Sequence, residues 1–250
     1  MTDSKKIIYF YLCFLFLIIF SLVQGYNCKY HEFVFCNEIF SNYWNENGFI
    51  ENLQVIFVLI SIILLIKLKF KFTGLNFTQI FLIIKIFALI YYLGEEISWG
   101  QHFFKWNSPE IFQELNNQKE TNLHNISNLF DQLPRAFVYF WCTFIVILAN
   151  LNIFKTKLSE EIFIIISPNK KLIYISSLLL IVSFPDIIVD LFNLHPGHYN
   201  EFGDIPEAIF FDNITLNFIR LSELHELIFS FYFLCYSIFL NKSFLKKLSY

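Results

Sequence analysis

The sequence predicts an all-α membrane protein, a single bundle of about six transmembrane helices that occupies residues 1–250. Of its 250 residues, 56% are hydrophobic and 16% are charged, whereas about a quarter of the residues in a soluble domain are charged. The apolar residues are concentrated in runs long enough to cross a bilayer, which takes about 20 residues of helix. Lysines cluster in the segments between those runs. These observations predict a multi-pass protein of the cell membrane.

Six apolar runs give the expected spans, which lie at about residues 7–23, 49–66, 77–93, 134–151, 172–189 and 216–240. Lys5 and Lys6 precede the first run, as basic residues do in a secretory signal peptide. That run is long for a signal core, however, and no small-residue cleavage site follows it. We therefore expect the first span to be retained as an anchor.

The distribution of charge predicts the orientation of the bundle. With six spans the connecting segments alternate between two sides, and 12 of the 18 basic residues fall on one of them. The positive-inside rule places that side, together with both termini, in the cytoplasm. The opposite, outer side holds 18 of the 21 acidic residues and all six histidines. Such an acidic mouth suits a cation or a metal, and it excludes an anionic polymer such as a nucleic acid as a partner.

Five cysteines allow one disulfide on the outer side. Cys28 and Cys36 share the first outer segment, where oxidation can join them. The alternative is that both remain free thiols. The other three cysteines lie within predicted spans, where cysteine behaves as a small hydrophobic residue.

The stretch GEEISWGQHFFKWNSPEIFQELNNQKETNLHN, residues 94–125, begins where the third apolar run ends. If the third helix continues through it, a rotation of about 100° per residue places Glu95, Ser98, Trp99 and His102 on one face, with Glu96 on the adjoining flank. Ionisable groups at a membrane boundary are expensive, which makes them candidates for a functional site. The alternative is a structural network in which the glutamates cap neighbouring helices or pair with an arginine.

The second half of this stretch predicts a short interfacial helix. Ser108 is the expected N-cap, Pro109 occupies the first helical position and Glu110 lies in the first turn. The helix is expected to continue through Leu115. A polar segment then brings amides and an imidazole together at Asn122, His124 and Asn125. Imidazole is a good metal ligand or proton shuttle, although a histidine in a loop is often neither.

Carboxylates also occur at similar depth on three other predicted spans. Glu51 lies just inside the second span, and Asp186 and Asp190 lie one turn apart near the end of the fifth. The sixth span begins with the segment RLSELHE, residues 220–226. This convergence, rather than any single motif, predicts a polar site near the outer face.

The expected members of that site follow from these positions. The candidate catalytic residues are Glu95, Glu96, Ser98, His225 and Glu226. The candidate ligands for a divalent metal, with zinc as the first candidate, are Glu96, His124, Asp186 and His225. The remaining residues expected to line the site are Glu51, Gln101, Asn122, Asn125, Asp190, Arg220 and Glu223.

Four segments carry a resemblance to a known family, and they read NENGFIENLQ (45–54), GEEISWGQHFF (94–104), SPEIF (108–112) and NNQKETNLHN (116–125). They are similar to an uncharacterised family of bacterial polytopic membrane proteins that carries the motifs GEEISWGQ and N-x-Q-x-E-T-N-L-H-N. The resemblance covers about the middle half of the chain. It implies a bacterial inner membrane but no particular activity. His102 stands where that family usually has arginine.

A fainter resemblance is to the alkaline ceramidase-like membrane hydrolases. Those enzymes combine a serine and a histidine four residues apart on one helix, as Ser98 and His102 would be, with further histidines on the last span and a bound zinc. This chain departs from that pattern because its last span offers only His225 and because six spans are predicted where those enzymes have seven.

Three functions are compatible with the pattern. A metal-assisted hydrolase or transferase would act on a lipid-like substrate, with membrane lipid as its partner. A transporter would use the same acids to bind a cation or relay protons, although no inverted repeat is visible in the sequence. A non-catalytic assembly subunit would use the polar layer to hold its helices together.

Overall fold

The computed structural model of the protein describes residues 8–9, 11–20, 23, 48–72, 76–116, 119–123, 126–147, 159–191 and 221–248. All regular elements within these residues are helical. The helices are α1 (Tyr11–Phe20), α2 (Phe49–Lys69), α3 (Phe77–Glu96), α4 (Gln101–Phe104), α5 (Glu110–Leu115), α6 (Asn128–Phe140), α7 (Glu160–Ile166), α8 (Leu172–Leu191) and α9 (Leu221–Leu248). A short 3-10 turn, Ser98–Gly100, links α3 to α4, and a π-type turn, Trp141–Ile145, extends α6.

Three of these helices are long and apolar enough to cross a membrane. They are α2, α3 and the segment Glu223–Lys247 of α9. Shorter apolar helices lie at Tyr11–Phe20 and Leu172–Ser183. The predicted all-α fold is thus confirmed for the part of the chain that the structure describes, and the three long apolar helices are consistent with a membrane protein.

The last helix, α9, forms the centre of the bundle. In its apolar segment 78% of the residues are buried, against 39% for α2 and 28% for α3. A helix that is apolar all round lies either in the core of a protein or across a membrane. Helices α2, α8 and α7 pack against α9, and α3 packs against α2. The outward side of α2 exposes Ile56, Leu59 and Ile63, and that of α3 exposes Ile84 and Phe87, as expected for surfaces in contact with lipid.

The first apolar helix belongs to the same core. The ring of Phe14 on α1 stacks on that of Phe231 on α9 with centroids 3.5 Å apart. Phe57 on α2 also approaches Phe231, at 5.7 Å between centroids. The hydroxyl of Tyr11 donates a hydrogen bond to the backbone oxygen of Lys171, at 3.0 Å. Helix α1 is therefore packed between α2, α8 and α9.

The helix boundaries agree with the predicted spans at several starts and differ at the ends. The observed starts of α2, α3 and α8 are the residues expected from the sequence, Phe49, Phe77 and Leu172. Helix α9 continues eight residues beyond the predicted limit of its span, because its C-terminal turns carry lysines that favour the negative end of the helix dipole. Helix α6 begins six residues earlier than expected and accommodates Pro134 inside it.

One helix was not expected from the sequence. Helix α7 is seven residues long, too short to register as an apolar span. The hydroxyl of Ser159 accepts a hydrogen bond from the backbone N–H of Ile162 at its start. Tyr236 on α9 donates its hydroxyl to the backbone oxygen of Ile165, so tertiary contact supports this short helix. The possible bridge between Cys28 and Cys36 lies outside the described residues.

Candidate functional site

The third helix ends at Glu96 and does not continue through the central stretch. Ser98, Trp99 and Gly100 follow with φ angles of 45°, 53° and 96°, which lie in the left-handed region and cannot propagate a right-handed helix. The expectation that Glu95, Ser98, Trp99 and His102 share one face of a continuous helix is therefore wrong. The side chain of His102 lies outside the described part.

Glu95 fastens the loop that follows α3. Its Oε2 accepts a hydrogen bond from the backbone N–H of Leu123 at 2.6 Å, and its Oε1 accepts one from the indole Nε1 of Trp99 at 2.9 Å. The Trp99 ring lies against Gly94, where an added Cβ would approach the ring to 2.9 Å. Glycine at that position is therefore required by the close approach of the indole. The buried carboxylate of Glu95 holds two segments that are 28 residues apart.

A second group of polar side chains continues this network. Ser98 donates its hydroxyl to Glu120 Oε2 at 2.8 Å. Asn122 donates its amide to Glu120 Oε2 at 2.7 Å and to Ser98 Oγ at 3.0 Å. Asn116 in turn donates its amide to Asn122 Oδ1 at 2.7 Å. Ser98, Asn116 and Asn122 are almost fully buried, so their polar groups serve one another rather than a solvent-filled cavity.

Gln101 closes the network on its other side. Its Oε1 accepts hydrogen bonds from the backbone N–H and the hydroxyl of Thr121, at 2.8 and 3.0 Å. The hydroxyl of Ser108 lies 3.1 Å from the same oxygen and donates to the backbone oxygen of Lys119. The expectation that Ser108 is the N-cap of α5 is therefore wrong. Pro109 precedes that helix, and no side chain caps it.

Glu96 has different partners from Glu95. It interacts electrostatically with Glu226, Glu223, Glu51 and Arg135. Glu51 lies on α2, and Glu223 and Glu226 lie on α9. We call Glu51, Glu96, Glu223 and Glu226 the acid cluster. The structure thus brings together four of the acidic residues that the sequence predicted to converge, from three different helices.

One guanidinium in the described part of the chain approaches this cluster. Arg135 on α6 donates Nη2 to Glu226 Oε1 at 2.8 Å. The two side chains retain 31% and 14% of their exposure, so water screens the pair incompletely. Sequence reasoning assigned no role to Arg135, although it is one of only two arginines in the chain. The other, Arg220, lies outside the described residues.

Gln54 adds an amide to the same region. Its Nε2 donates to the backbone oxygen of Glu223 at 3.1 Å and to Glu223 Oε2 at 3.2 Å. Gln54 is fully buried, and within the described residues its Oε1 has no hydrogen-bond partner. Gln54 lies one turn after Glu51 on the same side of α2. A buried amide oxygen to which no described residue donates a hydrogen bond therefore lies next to the acid cluster.

His225 is held by a different helix. Its Nε2 lies 3.2 Å from the hydroxyl of Ser183 on α8. Among the residues that the structure describes, no three His, Cys, Asp or Glu side chains are arranged to hold a metal ion as placed. Two other expected metal ligands, His124 and the side chain of Asp186, lie outside the described part of the chain. Asn125 and the side chain of Asp190, which were expected to line the site, lie outside it as well.

A buried lysine lies deeper in the bundle. The ammonium of Lys85 on α3 stands 4.1 Å from the ring centroid of Trp141. The rings of Phe81 and Tyr236 are 5.5 and 5.8 Å away. Cation–π attraction of this kind stabilises a poorly solvated ammonium by about 2 kcal/mol or more. Aromatic rings thus surround a cation that the sequence places inside a span.

Comparison with known proteins identifies no relative. No family model matches the chain, and neither a curated protein nor a solved structure is similar to it. The chemistry of the acid cluster and of the loop network is therefore interpreted from their own geometry.

Proposed function

We propose that the protein crosses the cell membrane six times, with both termini in the cytoplasm. Each of the six predicted spans overlaps a described helix. If all six cross the membrane, the lysine-rich connecting segments would alternate onto one side, which the positive-inside rule assigns to the cytoplasm. Reporter fusions after Lys71 and Lys171 should be cytoplasmic, and a fusion after Asn117 should lie on the outer side. The reversed pattern would contradict this topology.

We further propose that the acid cluster binds a divalent cation and that the bound ion assists hydrolysis or group transfer on a lipid-like substrate of the outer leaflet. The observation that supports this is the convergence of four carboxylates from α2, α3 and α9 on one poorly solvated region. Ionisable groups at membrane depth are expensive to bury and are conspicuous candidates for function.

The donor set favours a cation that prefers oxygen ligands. Carboxylates and the amide oxygen of Gln54 suit Mg²⁺, Mn²⁺ or Ca²⁺, whereas zinc sites in proteins usually contain histidine or cysteine. His225, the described histidine expected to bind zinc, instead pairs with Ser183. As placed, the carboxylates do not share one coordination sphere. Binding would therefore require the glutamate side chains to change rotamer so that their carboxylates meet at one ion.

A bound divalent ion would lower the pKa of a water molecule and polarise the bond that is broken. With such an ion bound, a carboxylate of the cluster would take a proton from the water as its oxygen adds to the carbonyl or phosphoryl centre of the substrate. The same carboxylate would return that proton to the leaving alkoxide, so that one water would be consumed for each bond cleaved. Glu96 is the proposed proton acceptor because it interacts with every other member of the cluster.

The resemblance to the alkaline ceramidase-like hydrolases adds little to this proposal. Its serine, Ser98, is buried and bonded to Glu120, and Ser98 and His102 are on separate elements, the 3-10 turn and α4. Membership of the uncharacterised bacterial family likewise stays a proposal based on the four sequence segments. The hydrolase hypothesis therefore rests on the acid cluster.

Binding of Mn²⁺ to the purified, chelator-treated protein tests the proposal. Losing a group that only orients a metal ligand costs about 10–100-fold in affinity, so Glu96→Gln should weaken Mn²⁺ binding at least tenfold in titration calorimetry. Glu114→Gln, at an exposed glutamate on α5, is the matched control and should bind like the parent protein. Absence of binding to the parent, or equal binding by both variants, would contradict a cation site in the cluster.

The hydrolytic part of the proposal has a separate readout. The Mn²⁺-loaded protein in vesicles of mixed bacterial lipids should release an acyl chain or a headgroup, detected by mass spectrometry, and Glu96→Gln should abolish that release. Tight Mn²⁺ binding without any change in the lipids would leave the cation site standing and contradict the hydrolase.

A further inference from the structure

In the segment from Ser98 to Asn122, several polar side chains are buried while several large apolar side chains are exposed. Its polar side chains Ser98, Ser108, Asn116 and Asn122 are buried. Large apolar side chains of the same segment are exposed, among them Phe103, Phe104, Trp106, Ile111 and Leu115. Phe104 is 77% exposed and Ile111 is 66% exposed. Water-soluble loops expose their polar groups, and a contiguous exposed apolar patch indicates an interaction surface.

The aromatic side chains of this patch are held in place by stacking and by contact with the backbone. The rings of Phe104 and Trp106 stack with centroids 5.9 Å apart and planes 8° from parallel. Lys105, between them, has a φ of 53°, which turns the backbone so that both rings lie on one side. Both also lie over Gly100, where an added Cβ would approach each of them to 3.3 Å. We call Phe103, Phe104 and Trp106 the aromatic edge.

The position of the edge identifies what covers it. It follows directly on α3, whose 20 residues span about 30 Å, the thickness of the hydrocarbon core. The outward side of α3 exposes Ile84, Phe87 and Ile90. The apolar surface of the span therefore precedes the aromatic edge along the chain, and the edge begins within eight residues of the end of that span.

We propose that the aromatic edge inserts into the boundary between headgroups and acyl chains of the leaflet at that end of α3. Tryptophan is enriched at this depth because its ring is apolar and its indole N–H needs a polar partner. Lys105, between Phe104 and Trp106 in the sequence, is exposed, and in an inserted edge its ammonium would reach lipid phosphates while its aliphatic stem stays against the apolar surface.

The hydrogen bonds of Glu95 connect the aromatic edge to the acid cluster. The loop that carries the aromatic edge is fastened to the end of α3 by Glu95 and Trp99. The adjacent Glu96 belongs to the acid cluster. Lipid contact at the edge therefore fixes the depth of the cluster relative to the membrane surface, whatever reaction the cluster performs.

Fluorescence quenching in vesicles tests the inserted edge. The emission lost on Trp106→Phe, measured as the difference between the parent and the variant, isolates Trp106 from the other three tryptophans. In phosphatidylcholine brominated near the glycerol end of its chains, this emission should fall at least twofold relative to unbrominated vesicles. Lipid brominated at the chain ends is the depth control and should quench it less. Dissolved iodide should quench it little.

Two outcomes would overturn the proposal. Quenching of Trp106 by iodide but not by brominated lipid would mean that the edge faces water and is free for another partner. Resistance to both quenchers would mean that the edge packs against protein, such as a second copy of the chain. The conservative Trp106→Phe substitution keeps an aromatic ring over Gly100, so the variant is expected to fold, and its thermal unfolding midpoint in detergent verifies this.

Discussion

Glu95→Gln should destabilise the purified protein by about 2–3 kcal/mol, whereas the same substitution at the adjacent Glu96 should leave its stability unchanged or raise it. Both oxygens of Glu95 accept hydrogen bonds, from Leu123 N–H and from the Trp99 indole. Glutamine offers only one oxygen, and its NH₂ would face one of these donors. One buried donor would then lose its acceptor, which costs about 1–3 kcal/mol in addition to the loss of charge assistance.

The opposite expectation holds at Glu96 because its neighbours are mainly acidic. Removing one negative charge from the acid cluster reduces repulsion from Glu226, Glu223 and Glu51. Apparent unfolding midpoints in detergent, with a chelator present, measure both variants under identical conditions. For a chain of this length, 2–3 kcal/mol corresponds to a midpoint lowered by roughly 5–10 °C.

Addition of Mn²⁺ extends the comparison. An ion that binds only the folded state stabilises it by mass action, so the parent protein should gain stability and Glu96→Gln should gain clearly less. Glu95→Gln should retain the gain, because its side chain lies outside the acid cluster. Equal destabilisation by the two substitutions in chelator would contradict the division of roles between these neighbouring carboxylates.

That division is the clearest example of what the sequence did not predict. The apolar runs predicted where α2, α3 and α8 begin, because burial in a bilayer imposes a composition that is visible locally. The end of α3 depends instead on Ser98 and Trp99, two non-glycine residues in left-handed conformations. Such conformations are costly for these residues and persist only when surrounding contacts impose them. Gly100 was the only local signal of a turn.

The contacts that impose this turn join distant segments. Asn122 reaches Ser98 across 24 residues, and Glu95 reaches Leu123 across 28. A single sequence carries no information about which of its polar residues will meet at such separations. Convergence of Glu51, Glu96 and Glu226 was nevertheless predictable, because each lies near the same end of its predicted span. The depth of a residue in a membrane can be predicted from its position in an apolar run. The direction of a side chain can be predicted only while the helix continues, because the helical period then relates it to its neighbours.

Arg135→Ala should destabilise the protein by about 3 kcal/mol, the lower limit for breaking a buried ion pair. Arg135 donates to Glu226 at 2.8 Å across 91 residues of sequence and is the guanidinium that the described structure places beside the acid cluster. Its removal leaves Glu226 in a poorly solvated region without that counter-charge. The lower limit applies because about a third of the arginine side chain remains exposed.

A double-mutant cycle separates this pairing from simple loss of packing. In Arg135→Ala combined with Glu226→Gln, the carboxylate that lost its partner is itself neutralised, so the double variant should recover about half of the lost stability, a coupling of roughly 1–2 kcal/mol. Arg135→Lys should fall between the parent and Arg135→Ala, because lysine keeps the charge but not the planar geometry. The coupling energy comes from the unfolding midpoints, measured with chelator, of the parent, Arg135→Ala, Glu226→Gln and the double variant. Strict additivity of the two single substitutions would show that Arg135 acts through its aliphatic contacts, and the acid cluster would then have to be balanced by another cation.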